Sequence, residues 1–227
     1  MTLTREIRAA FVSMVVFTVV LGLGYPLVVV GLSQVLFPGA ANGSKVYVGG
    51  KLVGSSLIGQ SFSDLVYKNG KVELQAGEPV TTPDPRYFQS RPSATVPPYN
   101  AAASTFSNYG PNGKNTEQFI AGNISSYLAL NRAPGGTWYD PAVTTAAQVP
   151  VDAANSSASG LDPDISVANA KIQAYRIAAL RHLSLTEVDS LISRYTTGRS
   201  LGFLGEPGVN ALQLNLALNR LTGTPAP

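Results

Sequence analysis

The sequence predicts a single N-terminal transmembrane helix followed by one α+β extracytoplasmic domain with long irregular loops. Three observations support this fold class: a long uncharged apolar stretch begins at Ala9, β-branched runs and capped helical patterns follow it, and 22 glycines and 16 prolines among 227 residues indicate many turns. The length suits one anchor and one domain of ordinary size. We therefore divide the chain into a cytoplasmic N-terminus (1–8), a transmembrane helix (9–32), a linker (33–44) and an extracytoplasmic domain (45–227).

The transmembrane helix is predicted from length and charge. No charged residue occurs from Ala9 to Ser44, and residues 9–32 are almost wholly apolar. At about 1.5 Å per residue such a helix reaches roughly 36 Å, more than the roughly 30 Å of a hydrocarbon core. A cleaved signal peptide is the alternative, but its apolar region is usually only about 7 to 15 residues long. Pro26 lies inside the run and predicts a kinked or loosened helix there.

The orientation of the helix follows from its flanking charges. Arg5 and Arg8 precede the apolar run, and no comparable basic cluster directly follows it. The positive-inside rule therefore predicts a single-pass protein with its N-terminus in the cytoplasm and its main domain outside.

The first half of the domain shows strand patterns. Residues 44–54 predict a β-hairpin that turns at Gly49-Gly50, where a positive φ costs little. Ser56 to Ile58 is a further strand candidate, and residues 68–84 form a polar excursion with glycine and proline. A short helix is predicted from Thr116 to Leu130.

Helices dominate the second half. Ser166 is a predicted N-cap for a helix over residues 167–182, and Ser184 with Glu187 forms a capping box that opens a second helix, which Gly198 is expected to end. The remaining pattern favours a short strand near Phe203 and a final helix capped by Asn210.

Composition excludes several classes of site. The absence of cysteine rules out disulfides, thiol nucleophiles and cysteine metal sites, and the single histidine, His182, has no second histidine for a zinc site. Outside residues 1–8 the chain has 14 basic and 12 acidic residues, which is no nucleic-acid signature. We expect no metal and no tightly bound cofactor.

Three charged residues are candidates for contacts. Asp162 and Asp164, with hydroxyls nearby, are suited to a hard cation, although Asp162-Pro163 also reads as a turn before a helix N-terminus. Arg91, next to Pro92, is a candidate to contact a partner carboxylate or to join loops by hydrogen bonds. None of these residues forms a self-sufficient active site, so the residues alone predict an anchored interaction domain.

Eight short motifs in a fixed order resemble one family. Together they are highly specific, and they extend over nearly the whole chain. The sequence resembles the C subunit of the bacterial Kdp potassium-transporting ATPase in Gly54-Ser-Ser-Leu-Ile-Gly-Gln60, Tyr87-Phe-Gln-Ser-Arg-Pro-Ser-Ala94, Pro98-Tyr-Asn100, Ser107-Asn108, Val149-Pro-Val-Asp152, Ser157-Ala-Ser-Gly-Leu-Asp-Pro-Asp-Ile-Ser166, Gln173-Ala-Tyr-Arg-Ile-Ala178 and Leu204-Gly-Glu-Pro-Gly-Val-Asn210.

The resemblance implies a non-catalytic subunit of a pump in the bacterial inner membrane. Its implied partners are a channel-like potassium-conducting subunit, a P-type ATPase subunit and a small membrane subunit. The family is described as a catalytic chaperone that raises the ATP affinity of the hydrolysing subunit, with ATP held only in a transient complex. By this resemblance Gln173, Ser157, Ser159 and Gly160 are the candidate nucleotide-binding residues.

The predicted orientation conflicts with direct nucleotide binding. A domain outside the cell does not meet cytoplasmic ATP, so an effect on ATP affinity requires remote coupling between two global states. We therefore expect the domain to cover the potassium entrance of the channel-like subunit, where Asp162 and Asp164 would concentrate cations. The alternatives are a freestanding membrane-anchored envelope binding protein or hydrolase, and a secreted structural protein released by cleavage near Gly39-Ala40-Ala41.

Overall fold

The computed structural model describes residues 3–75, 77–106 and 108–224. Ser107, from one of the eight motifs, lies outside these residues. The chain forms two compact units, Met1–Lys45 and Val46–Pro227.

The first unit is dominated by one long apolar helix. It comprises α1 (Leu3–Phe17), a π-helical segment (Thr18–Gly24) and α2 (Tyr25–Leu36). Leu3–Leu36 is long and apolar enough to cross a membrane, and no residue in it is buried within the protein. The π-helical segment ends two residues before Pro26, where a missing N–H interrupts the regular hydrogen-bond ladder. A short helix, α3 (Pro38–Ala41), follows.

The second unit begins with the predicted hairpin. Strands β1 (Lys45–Val48) and β2 (Lys51–Ser55) pair with each other, and Gly49 and Gly50 take φ values of +57° and +78° in the turn between them. The strand expected from Ser56 to Ile58 is wrong. The chain turns there instead, because the Ile58 N–H bonds to the Ser55 carbonyl at 3.2 Å.

The polar excursion contains short antiparallel strand pairs. A two-stranded ribbon forms its base, where β3 (Ser63–Leu65) pairs with β8 (Thr81–Pro83), and two separate short hairpins follow one another between these strands. These shorter strands are β4 (Tyr67–Lys68), β5 (Lys71–Val72), β6 (Leu74–Gln75) and β7 (Glu78–Pro79).

Helices and one small sheet form the rest. The elements are α4 (Lys114–Leu130), α5 (Val151–Ala154), β9 (Asp164–Ser166), α6 (Val167–Arg181), α7 (Leu185–Arg194), β10 (Thr196–Thr197), β11 (Gly208–Asn210) and α8 (Ala211–Thr222). The sheet has the antiparallel order β10-β11-β9, with Val209 opposite Ile165 and Thr196.

Most predicted helices are confirmed. The Ser166 side chain caps α6, Ser184 and Glu187 form the capping box of α7, and Asn210 caps α8. Two predictions are wrong: α7 ends at Arg194, well before Gly198, and the expected strand near Phe203 is instead a turn between β10 and β11. The strand lies at Gly208–Asn210, where β9 supplies its partner.

The core lies between α6, α7, α8 and the small sheet. Phe88, from an irregular segment, is fully buried there. A second cluster, formed by Phe62, Tyr87, Leu212 and Leu216, receives the valines of the first hairpin. The main cluster contains Phe88, Ile165, Ala170, Ala174, Ile177, Ala178, Val188, Ile192, Val209, Leu214 and Leu218.

Candidate functional site

A cavity of about 280 Å³ with many polar lining residues lies in the second unit beside the irregular segment 84–99. Its walls come from that segment, from α4, from α6 and from the base of the ribbon. Both Arg91 and Gln173, two of the residues singled out in the sequence, line it. Other lining residues are Ser61, Ser63, Ser90, Ser93, Tyr99, Asn123, Ser126, Tyr127 and Asn169.

Gln173 is buried and its amide is fully engaged. Its Oε1 accepts from the Gln89 backbone N–H at 2.7 Å and from Arg176 Nη2 at 2.9 Å. Its Nε2 donates to the Gln89 carbonyl at 3.1 Å and to Asn169 Oδ1 at 2.9 Å. A carboxamide offers two acceptor and two donor sites, so a further ligand would have to displace one of these bonds.

Arg176 extends this arrangement and is completely buried. Its guanidinium donates to the carbonyls of Pro85 and Tyr87, both at 2.8 Å, to Asn131 Oδ1 at 2.6 Å and to Gln173 Oε1. All four acceptors are uncharged. Burial lowers the pKa of Arg176 to about 10, so the group stays charged at neutral pH. One cation therefore joins α6, the end of α4 and the irregular segment.

Asp152 closes the other end of the same set of contacts. It accepts from the Ser166 backbone N–H and hydroxyl, each at 2.8 Å, and from Asn169 Nδ2 at 2.9 Å. Asn169 Oδ1 in turn accepts from the Tyr127 hydroxyl at 2.9 Å and from Gln173. We call Asp152, Asn169, Gln173, Arg176 and Asn131 the amide network.

The candidate serines form a turn that does not line the cavity. The Ser157 hydroxyl accepts from the Gly160 N–H at 2.9 Å, and the Ser159 hydroxyl accepts from the Leu161 N–H at 3.1 Å. Gly160 has a φ of +68°, and its carbonyl accepts from the Ser93 hydroxyl at 2.7 Å. Of these three residues, Gly160 contacts the cavity wall through Ser93, while Ser157 borders a separate cavity near Phe119.

Arg91 and Asp162 form an ion pair. Arg91 Nη1 lies 2.9 Å from Asp162 Oδ2, and Nη2 bonds to the Ser156 carbonyl at 3.3 Å. The Arg91 carbonyl accepts a hydrogen bond from the Tyr99 hydroxyl. Within the part of the chain that the structure describes, Arg91 Nε is the buried side-chain polar atom that has no hydrogen-bond partner.

Asp162 and Asp164, the pair expected to concentrate cations, accept hydrogen bonds from different donors. Asp164 Oδ1 accepts from Asn210 Nδ2 at 3.2 Å, whereas Asp162 Oδ1 accepts from the Asp164 backbone N–H at 3.0 Å. Burial raises the pKa of Asp164, the hydrogen bond from Asn210 opposes this rise, and the charge of Asp162 adds to it. Within the described ranges no group of three metal-ligating side chains occurs. The cation nearest Asp162 is thus the guanidinium of Arg91.

The cavity is suited to hydrogen bonding more than to proton transfer. Burial raises the pKa of Tyr99 to about 12 and also raises the pKa of Tyr127, so both phenols stay protonated at neutral pH. General acid–base catalysis works best with a group whose pKa lies near the working pH. These phenols can orient a bound group but are poor proton acceptors.

Comparison with known proteins identifies the family. The family model described as KdpC, the c chain of the K⁺-transporting ATPase, matches residues 7–220, which include both the apolar helix and the domain. The chain belongs to the KdpC family. A potassium-transporting ATPase KdpC subunit from Methylococcus capsulatus is 45% identical over 219 residues, covering 96% of this chain and 98% of the relative.

Further KdpC subunits are similar to this chain to a comparable extent. One from Mycobacterium tuberculosis is 40% identical and one from Herpetosiphon aurantiacus is 41% identical. They match 96% and 94% of this chain and 99% and 95% of their own lengths. The resemblance read from the eight motifs is therefore confirmed, and it favours a pump subunit over a freestanding envelope binding protein or hydrolase.

Sequence reasoning missed most of the amide network in this KdpC family member. Only Gln173 was singled out, and Asp152, Asn169 and Arg176 were not assigned a role. One local signal was available: Asn169, Gln173 and Arg176 follow each other at spacings of four and three residues, which places them on one face of α6. Polar residues on a helix face that is otherwise buried indicate a shared network.

Proposed function

We propose that this chain is a non-catalytic accessory subunit of a high-affinity, ATP-driven potassium uptake pump. It is needed to assemble the complex, and it raises the ATP affinity of the hydrolysing subunit without a catalytic site of its own. The observation that supports this most is the match over residues 7–220, because the relatives named as potassium-transporting ATPase subunits correspond to the anchor and the domain together. Its partners would be the channel-like subunit, the ATPase subunit and a small membrane subunit.

The effect on ATP affinity is proposed to act by remote coupling. Gln173, the leading candidate for a nucleotide contact, already has both acceptor and both donor sites engaged by Gln89, Arg176 and Asn169. A direct contact would break part of a buried network, and a buried polar group left unpaired costs about 1–3 kcal/mol. Preferential binding of this subunit to one global state of the pump raises ATP affinity without such a loss.

Substitution of two buried amides distinguishes remote coupling from direct nucleotide contact. Gln173→Ala and Asn215→Ala each remove a buried carboxamide that bonds to the irregular segment, but only Gln173 lines the cavity. In the purified complex, remote coupling predicts that both variants change the KM for ATP to a similar extent. A rise in KM confined to Gln173→Ala, with nucleotide protecting residues 89–93 from hydrogen exchange, would establish direct contact instead.

The assembly role has its own test. The complex should be purified with and without this subunit, and potassium uptake and ATP hydrolysis should be measured over a range of ATP concentrations. We expect partner subunits to dissociate more readily and the KM for ATP to rise when the chain is omitted. A complex that assembles fully and hydrolyses ATP with an unchanged KM would contradict the proposal.

We further propose that the domain lies outside the cell and covers the potassium entrance. The chain contains no cysteine, so a single introduced cysteine reports its own location. Ala102→Cys is exposed on the domain, and Thr4→Cys lies in the first turn of the long helix, before Arg5. A membrane-impermeant maleimide should label Ala102→Cys in intact cells and Thr4→Cys only after permeabilisation. The reverse pattern would place the domain in the cytoplasm.

A further inference from the structure

The turn between β10 and β11 exposes a small apolar patch. Leu201, Phe203 and Leu204 are 83%, 69% and 50% exposed. Single exposed apolar residues are common on soluble proteins, whereas several on one short turn form a patch that indicates an interaction surface. We call residues 200–204 the apolar tip.

The apolar tip is held in shape by its own backbone. The Ser200 N–H bonds to the Leu204 carbonyl and the Leu204 N–H bonds to the Ser200 carbonyl, both at 2.9 Å. Leu201 takes a φ of +54°, a left-handed conformation that is unusual for leucine. The side chains are therefore displayed by an ordered turn. Paired N–H and C=O groups are what a backbone needs before it enters an apolar medium.

Charges are confined to the base of the turn and cancel there. Arg199 Nη2 lies 2.6 Å from Glu206 Oε2, and Arg199 Nη1 bonds to the Gly205 carbonyl at 2.8 Å. Between them the apolar tip carries no charged residue. An apolar end with a polar, zwitterionic base matches the membrane–water interface, where apolar side chains enter the acyl region and charged groups stay at the headgroups.

A short segment connects the domain to the helix that is predicted to span the bilayer. The chain has its own membrane-spanning candidate, Leu3–Leu36, and the first strand of the domain begins at Lys45. Residues 37–44 include the helix α3, and even fully extended at about 3.4 Å each they would reach no more than roughly 27 Å. A surface tethered so closely meets the bilayer at a high effective concentration, so a weak partition is sufficient.

We propose that the apolar tip inserts into the lipid bilayer that the chain's own helix spans. Phe203 and Leu201 enter the acyl region, and the Arg199–Glu206 pair stays among the headgroups. The inserted tip is a second membrane contact that restricts the rotation of the domain about its tether. This inference does not depend on the side of the membrane that the domain occupies or on the coupling mechanism.

Tryptophan fluorescence tests the insertion directly. The chain has one tryptophan, so Trp138→Phe provides a dark background in which Phe203→Trp is the sole reporter. The full chain is reconstituted into vesicles of phosphatidylcholine and phosphatidylglycerol, with and without brominated acyl chains. We expect brominated lipid to remove most of the Phe203→Trp emission. Val151→Trp, at a position 79% exposed on α5, is the matched control and should be unaffected.

Two results would overturn the proposal. Leu201→Trp serves as a second reporter in case the first substitution alters the turn; if both emit equally in brominated and plain vesicles, the tip lies in water. The measurement is then repeated in the assembled complex. Quenching that disappears on assembly would assign the tip to a partner protein rather than to lipid.

Discussion

The side chain of Asn215 binds Phe88 at both backbone groups. Its Oδ1 accepts from the Phe88 N–H and its Nδ2 donates to the Phe88 carbonyl, both at 2.9 Å. The Gln173 side chain likewise bonds to both backbone groups of the next residue, Gln89. Two carboxamides thus replace the neighbouring strand that an extended segment would otherwise need, and they hold the irregular segment against the helices.

Loss of the Asn215 amide should destabilise the domain. Asn215→Ala leaves the buried N–H and C=O of Phe88 unpaired, which is expected to lower the free energy of unfolding by about 2–3 kcal/mol. Urea unfolding of the full chain in detergent, followed by Trp138 fluorescence, measures the change. Gln213→Ala on the same helix is partly exposed and should cost less than about 1 kcal/mol. Equal effects of the two variants would contradict this role.

Replacement of Arg176 should be among the most damaging changes. Arg176→Lys keeps the charge but cannot reach four acceptors with the geometry of a planar guanidinium. We expect both Arg176→Lys and Arg176→Met to destabilise by about 3 kcal/mol or more, since several buried carbonyls lose their donor. Arg220→Lys, at an exposed position on α8, should change the stability by less than about 0.5 kcal/mol. An Arg176→Lys variant as stable as the parent protein would show that the amide network is not needed for stability.

Substitution of Gly160 by alanine is expected to destabilise the domain for two separate reasons. A Cβ there would lie 2.6 Å from the Thr105 carbonyl oxygen, and φ is +68°. Gly70 has a similar φ of +74° but open space around the Cβ position. Gly70→Ala should therefore cost only about 1 kcal/mol from backbone strain, and Gly160→Ala clearly more. Thermal unfolding of the two variants gives the difference, and matching melting temperatures would rule out the steric part.

The Asp84–Arg86 pair should give the domain an acid-sensitive component of stability. Burial of Asp84 acts to raise its pKa, but hydrogen bonds from Arg86, as short as 2.6 Å, outweigh it, and the pKa of Asp84 is lowered. Because the folded pKa lies below the unfolded pKa, this stability is complete above about pH 4 and is lost as the pH falls through the folded value.

Asp84→Asn tests this dependence. At neutral pH we expect a loss of about 1 kcal/mol, limited by the solvent exposure of the Arg86 side chain. The gap between the variant and the parent should narrow below about pH 4, where the parent carboxylate takes up a proton. Unfolding curves at several pH values provide the measurement. A stability difference between the two proteins that increases as the pH falls would contradict a lowered pKa of Asp84.

The predictable parts of the fold are those encoded locally. The caps at Ser166, Ser184 and Asn210 act within three residues, so a short sequence window contains both donor and acceptor. The anchor is predicted just as easily, because a run of about twenty or more apolar residues is typical of a transmembrane helix.

The amide network and the small sheet could not be read in the same way. Gln89 and Gln173 are separated by 84 positions and Phe88 and Asn215 by 127, so no local pattern links them. The strands β9 and β11 have only three residues each, too few for an alternating pattern to stand out. A strand was predicted near Phe203, yet this residue lies in a turn and its side chain is exposed.

The side-chain bonding of Phe88 and Gln89 has a consequence for self-association. An extended segment with free N–H and C=O groups is a template on which a second chain can add a strand. Here both groups of both residues are occupied by carboxamides from the same chain. Phe88 is also fully buried, so this segment offers no edge to which a second chain could add a strand.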